Sequence, residues 1–143
     1  HPEDVSQITR AQLSQYNQYT ATTYTNWYIE YQNAIEQATA ANVKTIPVGA
    51  VIADLLEMEP YMADVNFIDL YGDSAPHGNE NIYLLAAMVT YRSMFGENPD
   101  VSMLQLPQDA NQLIPQVVLN LPQIAVFIEN RLAYYQQLGV SVY

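Results

Sequence analysis

The chain has no cysteine, which excludes a disulfide framework and any thiolate metal site. Cations are nearly as scarce. Arg10, Lys44, Arg92 and Arg131 stand against 15 acidic residues, for a net charge of −11. Nucleic-acid binding needs clustered Lys and Arg to displace counterions from phosphate, and these four are scattered. The same scarcity argues against docking on an anionic membrane surface. The partners that suit this balance are neutral or cationic. No apolar run is long enough to span a bilayer, and no signal peptide is visible. The chain opens at His1 rather than Met, so the expectation is a mature, processed or trimmed product. Low lysine with abundant Gln, Asn, Thr and Tyr has the flavour of an exported protein, secreted or periplasmic.

What is present is apolar. Half of the 143 residues are hydrophobic, enough for one domain with a real core. Val5, Ile8, Leu13 and Tyr16 have roughly helical spacing over residues 3–18. A stronger stripe follows: Tyr24, Trp27, Tyr28, Tyr31, Ala34, Ile35 and Ala38. It fits a helix face packed on a sheet or another helix. It also fits a wet aromatic groove that binds a sugar or another ring, with Trp27 and Tyr31 on the substrate side.

Val43–Val48 reads as a short strand, placed at an edge or strand end by Pro47. Gly49 turns the chain into a helix, Ala50–Glu57, a helix–strand–Gly–helix order typical of α/β layers. Glu57, Glu59 and Asp64 read as a solvated acidic rim. Val65–Leu70 suggests a second strand or an extended approach to a loop. A helix is expected over about 82–95, capped from Asn79-Glu80-Asn81, buried on several sides and stopped by Gly96. Two more are expected at about 110–120 and 122–138, with Pro122 in a first turn, Gly139 as the stop and 140–143 as a tail.

The chemistry concentrates in Tyr71-Gly72-Asp73-Ser74-Ala75-Pro76-His77-Gly78-Asn79, which holds the only internal histidine. A histidine within reach of a serine hydroxyl can take its proton. A carboxylate on the other ring nitrogen fixes the tautomer and stabilises the imidazolium. His77 and Asp73 are the candidates for these roles. Ser74 is a candidate nucleophile, although aiming its Oγ at an imidazole on the same short loop is sterically demanding. The alternative is a helix-entry turn with Asp73 or Asn79 as cap. One metal arrangement is available, Cu(II) held by the His1 amine and imidazole with His77. It requires His1 to be the mature terminus. The acidic clusters lack calcium-loop spacing, and no metal or cofactor is expected.

The run from Asp73 to Ala87, with Tyr83-Leu84-Leu85-Ala86 and then Tyr91, Phe95-Gly96 and Pro99, resembles the last block of SGNH/GDSL-type hydrolases. Gly72-Asp73-Ser74 separately matches the tripeptide that opens the nucleophile block of that family. The resemblance covers about residues 20–100. It implies the C-terminal part of a three-layer α/β/α sandwich, helix-rich with few short strands. It further implies hydrolysis of a small ester or an O-acetylated carbohydrate, with His77 as general base and then acid, oriented by Asp73. Two features depart from the pattern. Asp73-x-x-x-His77 is one residue longer than the usual spacing, so Asp69 or a backbone carbonyl could orient the histidine instead. No strand–Ser–helix start precedes residue 43. The attacking serine would then come from a missing N-terminal segment or another protein chain that completes the sheet. The reading from a different class is a non-catalytic structural or partner-binding subunit.

Overall fold

A capping box starts the longest helical run. Gln12 N donates to Thr9 Oγ1 (3.3 Å) while Thr9 N donates to Gln12 Oε1 (2.9 Å). The computed structural model describes residues 4–73, 75, 77–103 and 113–143. From that cap α1 (Arg10–Tyr19) passes through a π turn (Thr20–Tyr24) directly into α2 (Thr25–Thr39). The π turn has a local cause. Thr22 and Thr25 donate their hydroxyls to the carbonyls of Gln18 (2.8 Å) and Ala21 (2.5 Å), one turn back. Such back-bonding competes with the helical ladder, and β-branched threonines crowd it further. The run ends at Ala40, whose φ of 55° is left-handed.

The segment expected as a strand at 43–48 forms no strand and pairs at one point only. Thr45 bridges Val142 in parallel, with Thr45 N donating to Ser141 O at 2.8 Å. Pro47 offers no N–H for a ladder, and its neighbour is a short tail. The chain enters α3 (Val48–Met58) at once. The expected strand at 65–70 is a 3₁₀ turn, Phe67–Asp69, with Asn66 N donating to Asp69 Oδ2 at 2.7 Å. Thus the expected α/β three-layer sandwich is wrong. Among the described residues the fold is all-helical, with two isolated bridges and no strand. Among the described residues there is no half-sheet for a further segment to complete.

Helix α3 is the centre instead. Ala50, Val51, Ile52, Ala53, Leu55 and Leu56 are all buried. It packs against α1, the π turn, α4 (Glu80–Phe95) and α6 (Leu121–Gln137). The short α5 (Pro115–Val118) leads into α6, and part of the helix expected at 110–120 lies outside the described residues. Leu13, Met62, Leu70, Leu85, Ile124 and Ile128 fill the space around α3. Each such side chain contributes roughly 1.5–3 kcal/mol of transfer free energy. The 140–143 tail is no loose end: Val140 and Val142 are buried. Conversely α4 is less covered than expected, since Tyr83, Met94 and Phe95 face solvent.

Three arginines clasp the seams. Arg10 pairs with Glu57 (α1 to α3), Arg131 with Asp54 (α6 to α3) and Arg92 with Glu129 (α4 to α6). Glu57 is therefore not part of a solvated rim. It accepts from Arg10 Nη1 (2.9 Å), Ser14 Oγ (2.5 Å) and Asn17 Nδ2 (2.8 Å).

Candidate functional site

The loop between Leu70 and α4 is closed by backbone bonds. Gly72 N donates to His77 O and Asn79 N to Leu70 O, each at 2.8 Å. Asn79 caps α4 through Asn81 N (3.0 Å), as its position suggested. Its amide and that of Asn81 both donate to Asp69 O, which ties the loop's entry to its exit.

Inside this frame Asp73 is the organiser. Its Oδ1 accepts from the backbone N–H of Ala75 (3.0 Å) and of His77 (3.2 Å). Its Oδ2 lies 2.6 Å from His77 Nδ1. The structure therefore brings the two sequence-derived candidates together despite the longer spacing, and Asp69 is engaged elsewhere. The bond to His77 and the two backbone donors hold the Asp73 carboxyl below the usual carboxylate range. The carboxylate sits on Nδ1, and Nε2 has no partner among the described residues. That is the orientation an acid–base histidine needs. Both side chains are open to water, His77 at 75% and Asp73 at 50% exposure. Ser74 and His1 lie outside the described residues, and no serine hydroxyl among the described residues bonds to His77. No group of three or more His, Cys, Asp or Glu among the described residues is placed to hold a metal.

Trp27 and Tyr31 sit on α2, not in this loop. Their rings stack with centroids 5.0 Å apart and planes 7° from parallel. Tyr24 meets Trp27 edge-on at 6.5 Å. The stripe is largely uncovered, with Tyr24, Trp27 and Tyr31 at 44, 50 and 55% exposure and Ala34 and Ala38 also exposed. Helix α2 buries its other side, where Thr25 and Gln32 are buried and Ile29 meets the core. Gln32 Oε1 accepts from Thr45 Oγ1 (3.3 Å) and Ser141 N (3.1 Å), which anchors α2 to the 43–47 segment and the tail. No hydrogen bond, ion pair or ring contact among the described residues joins the aromatic stripe to His77.

A second constellation escaped the sequence reading. Between the π turn and α6 lies a cleft lined by Thr22, Asn26, Asp54, Arg131, Tyr134 and their neighbours. Asp54 Oδ2 accepts from Arg131 Nε (2.9 Å), Arg131 Nη2 (2.5 Å) and Tyr135 Oη (2.6 Å). Burial, together with the Asp54 carboxylate, pushes the Tyr135 phenol well above its ordinary range. The available signal was an acid flanked by Ala53 and Leu55 in the apolar run of α3, at a position that should be buried and therefore paired.

No family model, no curated protein and no solved structure matches the chain.

Proposed function

We propose that this chain is a non-catalytic binding module that docks a basic segment of a partner protein on the aromatic face of α2. One observation carries this: a stacked, half-exposed Trp27–Tyr31 pair continued by Tyr24, Ala34 and Ala38 along one helix face. Steps of three and four residues are those of a helix–helix seam. Large aromatics at its centre are the residue types that dominate interface energies, and the small alanines at the far end permit close backbone approach. Charge selects the occupant. The chain carries −11, and Glu30 lies exposed on the edge of the stripe. A second copy would bring equal repulsion, whereas Lys or Arg side chains gain both Coulomb attraction and cation–π contact, about 0.5–2 kcal/mol each.

Trp27 is the sole tryptophan and reports on its own site. An amphipathic Lys/Leu helical peptide is expected to shift its emission, and a Glu/Leu peptide is not. By anisotropy of the labelled peptide, Trp27→Ala should weaken binding about tenfold or more, the ~1.4 kcal/mol of one modest hot spot. Equal binding of both peptides, or no effect of Trp27→Ala, would overturn the reading.

A second reading, serine ester hydrolysis of the SGNH type, is favoured by the Asp73–His77 geometry alone. There His77 serves as base and then acid, Asp73 orients it, and the serine comes from Ser74 or from outside the described chain. The substrate would be a small ester or acylated carbohydrate. His77→Ala should then abolish hydrolysis of a short acyl ester and leave the helical circular dichroism intact. Unchanged turnover would remove His77 from catalysis.

A further inference from the structure

We infer that the cleft between the π turn and α6 is a binding site for a single neutral polyhydroxylated ring of hexose size. Its volume is about 280 Å³, just below the ~300–1,000 Å³ typical of small-molecule sites, which admits one ring rather than a chain of them.

The lining sets the chemistry. Among the described residues all three hydrogen bonds that Asp54 accepts fall on Oδ2, so Oδ1 keeps its acceptor capacity. Arg131 spends Nε and Nη2 on that carboxylate, which leaves its Nη1 donors outside the ion pair. The cleft thus offers a donor and an acceptor held side by side by the ion pair. Adjacent hydroxyls, each both donor and acceptor, match that pattern. Both residues are largely but not fully covered, at 17% and 13% exposure, so the hydrogen bonds would form where water competes weakly.

Charge excludes the alternatives. Arg131 and Asp54 cancel each other, so the floor carries no net charge to attract an ion. An anion would meet a chain of net −11, and a cation would have to share Asp54 with the Arg131 guanidinium. A neutral ligand avoids both.

The walls fit a ring with apolar C–H faces. Arg131 Cζ sits 4.0 Å over the Tyr134 ring, which fixes that ring while leaving it 40% exposed. Ala21 and Leu138 complete the apolar side. Asn26, exposed at the rim, has an amide with no partner among the described residues. The π turn contributes Ala21 and Thr22 to the cleft, and Asn26 follows in the first turn of α2. Such turns frequently occur at functional sites.

The experiment is saturation-transfer NMR on the full chain with D-glucose, D-galactose, D-mannose and N-acetyl-D-glucosamine. At least one should bind with a Kd of the order of 1 mM, the scale of a small ligand with few contacts. Asn26→Leu, a change at an exposed position that narrows the mouth, should weaken it tenfold or more. Asp54→Asn should do the same; if that variant unfolds, Asn26→Leu decides. Tyr83→Ala on α4 should leave the affinity unchanged. Absence of binding by all four sugars at tens of millimolar overturns the inference. So does binding that Asn26→Leu leaves intact. Peptide docking on α2 is read in a separate assay, so either proposal can fail alone.

Discussion

Replacing Glu57 with glutamine tests how α1 is held to α3. The carboxylate accepts from Arg10, Ser14 and Asn17, while Arg10 also donates to the carbonyls of Leu56 (2.7 Å) and Ala63 (3.1 Å). Charge-assisted hydrogen bonds contribute about 1.5–3 kcal/mol each when dry. Here the pair is partly wet, with 28% and 21% exposure for Arg10 and Glu57, so solvent screening lowers that range. Glutamine keeps one acceptor for Asn17 or Arg10, and Ser14 can rotate to accept from the new amide. The net loss should be about 1.5–2 kcal/mol at neutral pH. At roughly 3 °C per kcal/mol for a chain of this size, Tm falls by about 5 °C.

A second readout separates charge from shape. Burial pushes the Glu57 carboxyl up, but hydrogen bonds from Ser14, Asn17 and Arg10, with the Arg10 charge, outweigh it and leave it below its ordinary value. A depressed folded pKa gives stability that is fully present above the unfolded value, about 4.3, and is lost as pH falls through the folded one. Urea unfolding from about pH 6 to about pH 3 should therefore show wild type losing more than Glu57→Gln, with the two curves converging in acid. Equal midpoints near pH 6, or parallel curves throughout, would refute the reasoning.

Ala40→Gly should stabilise by about 0.5–1 kcal/mol, because the left-handed φ of 55° costs an L-residue ~1–2 kcal/mol and the greater unfolded-state freedom of glycine offsets part of the gain. Thermal unfolding reads this as a higher Tm, and a lower one would contradict it. Gly78→Ala should cost about 1–3 kcal/mol, since the added methyl would lie 2.6 Å from Ile82 Cγ2 and 2.8 Å from its Cβ, atoms rooted in the first turn of α4. Urea unfolding should show that loss, and the His77 ring resonances should move as the loop shifts.

Local signals carried the helices well. Periodicity located α2, α4 and α6, and Asn79 and Gly96 marked the two ends of α4 where they were expected. The Asp73–His77 pairing was also legible, because residues so near in sequence on one turn have few ways to avoid each other. The strands were not. Val43–Val48 has β-like side chains, but a strand exists only by pairing, and pairing depends on what the rest of the chain supplies. Here that was a single bridge to Val142. The Tyr24–Tyr31 stripe shows the same gap. Spacing reveals that a helix has an apolar face; it does not reveal what covers it. Asp54 and Glu57 were misjudged or missed because their partners, Arg131 and Arg10, are 77 and 47 residues away.

The clasp at the end of α2 has a practical side. Lys44 is the only lysine, and its Nζ donates to Ser141 Oγ at 3.1 Å from an exposed position. Amine-directed chemistry can therefore place a side-chain label at one defined spot, where the 43–47 segment meets the tail. A dye there reports on whether the tail stays seated. With Trp27 as the lone indole donor on the neighbouring helix, the chain has a built-in pair of optical addresses that need no engineered cysteine.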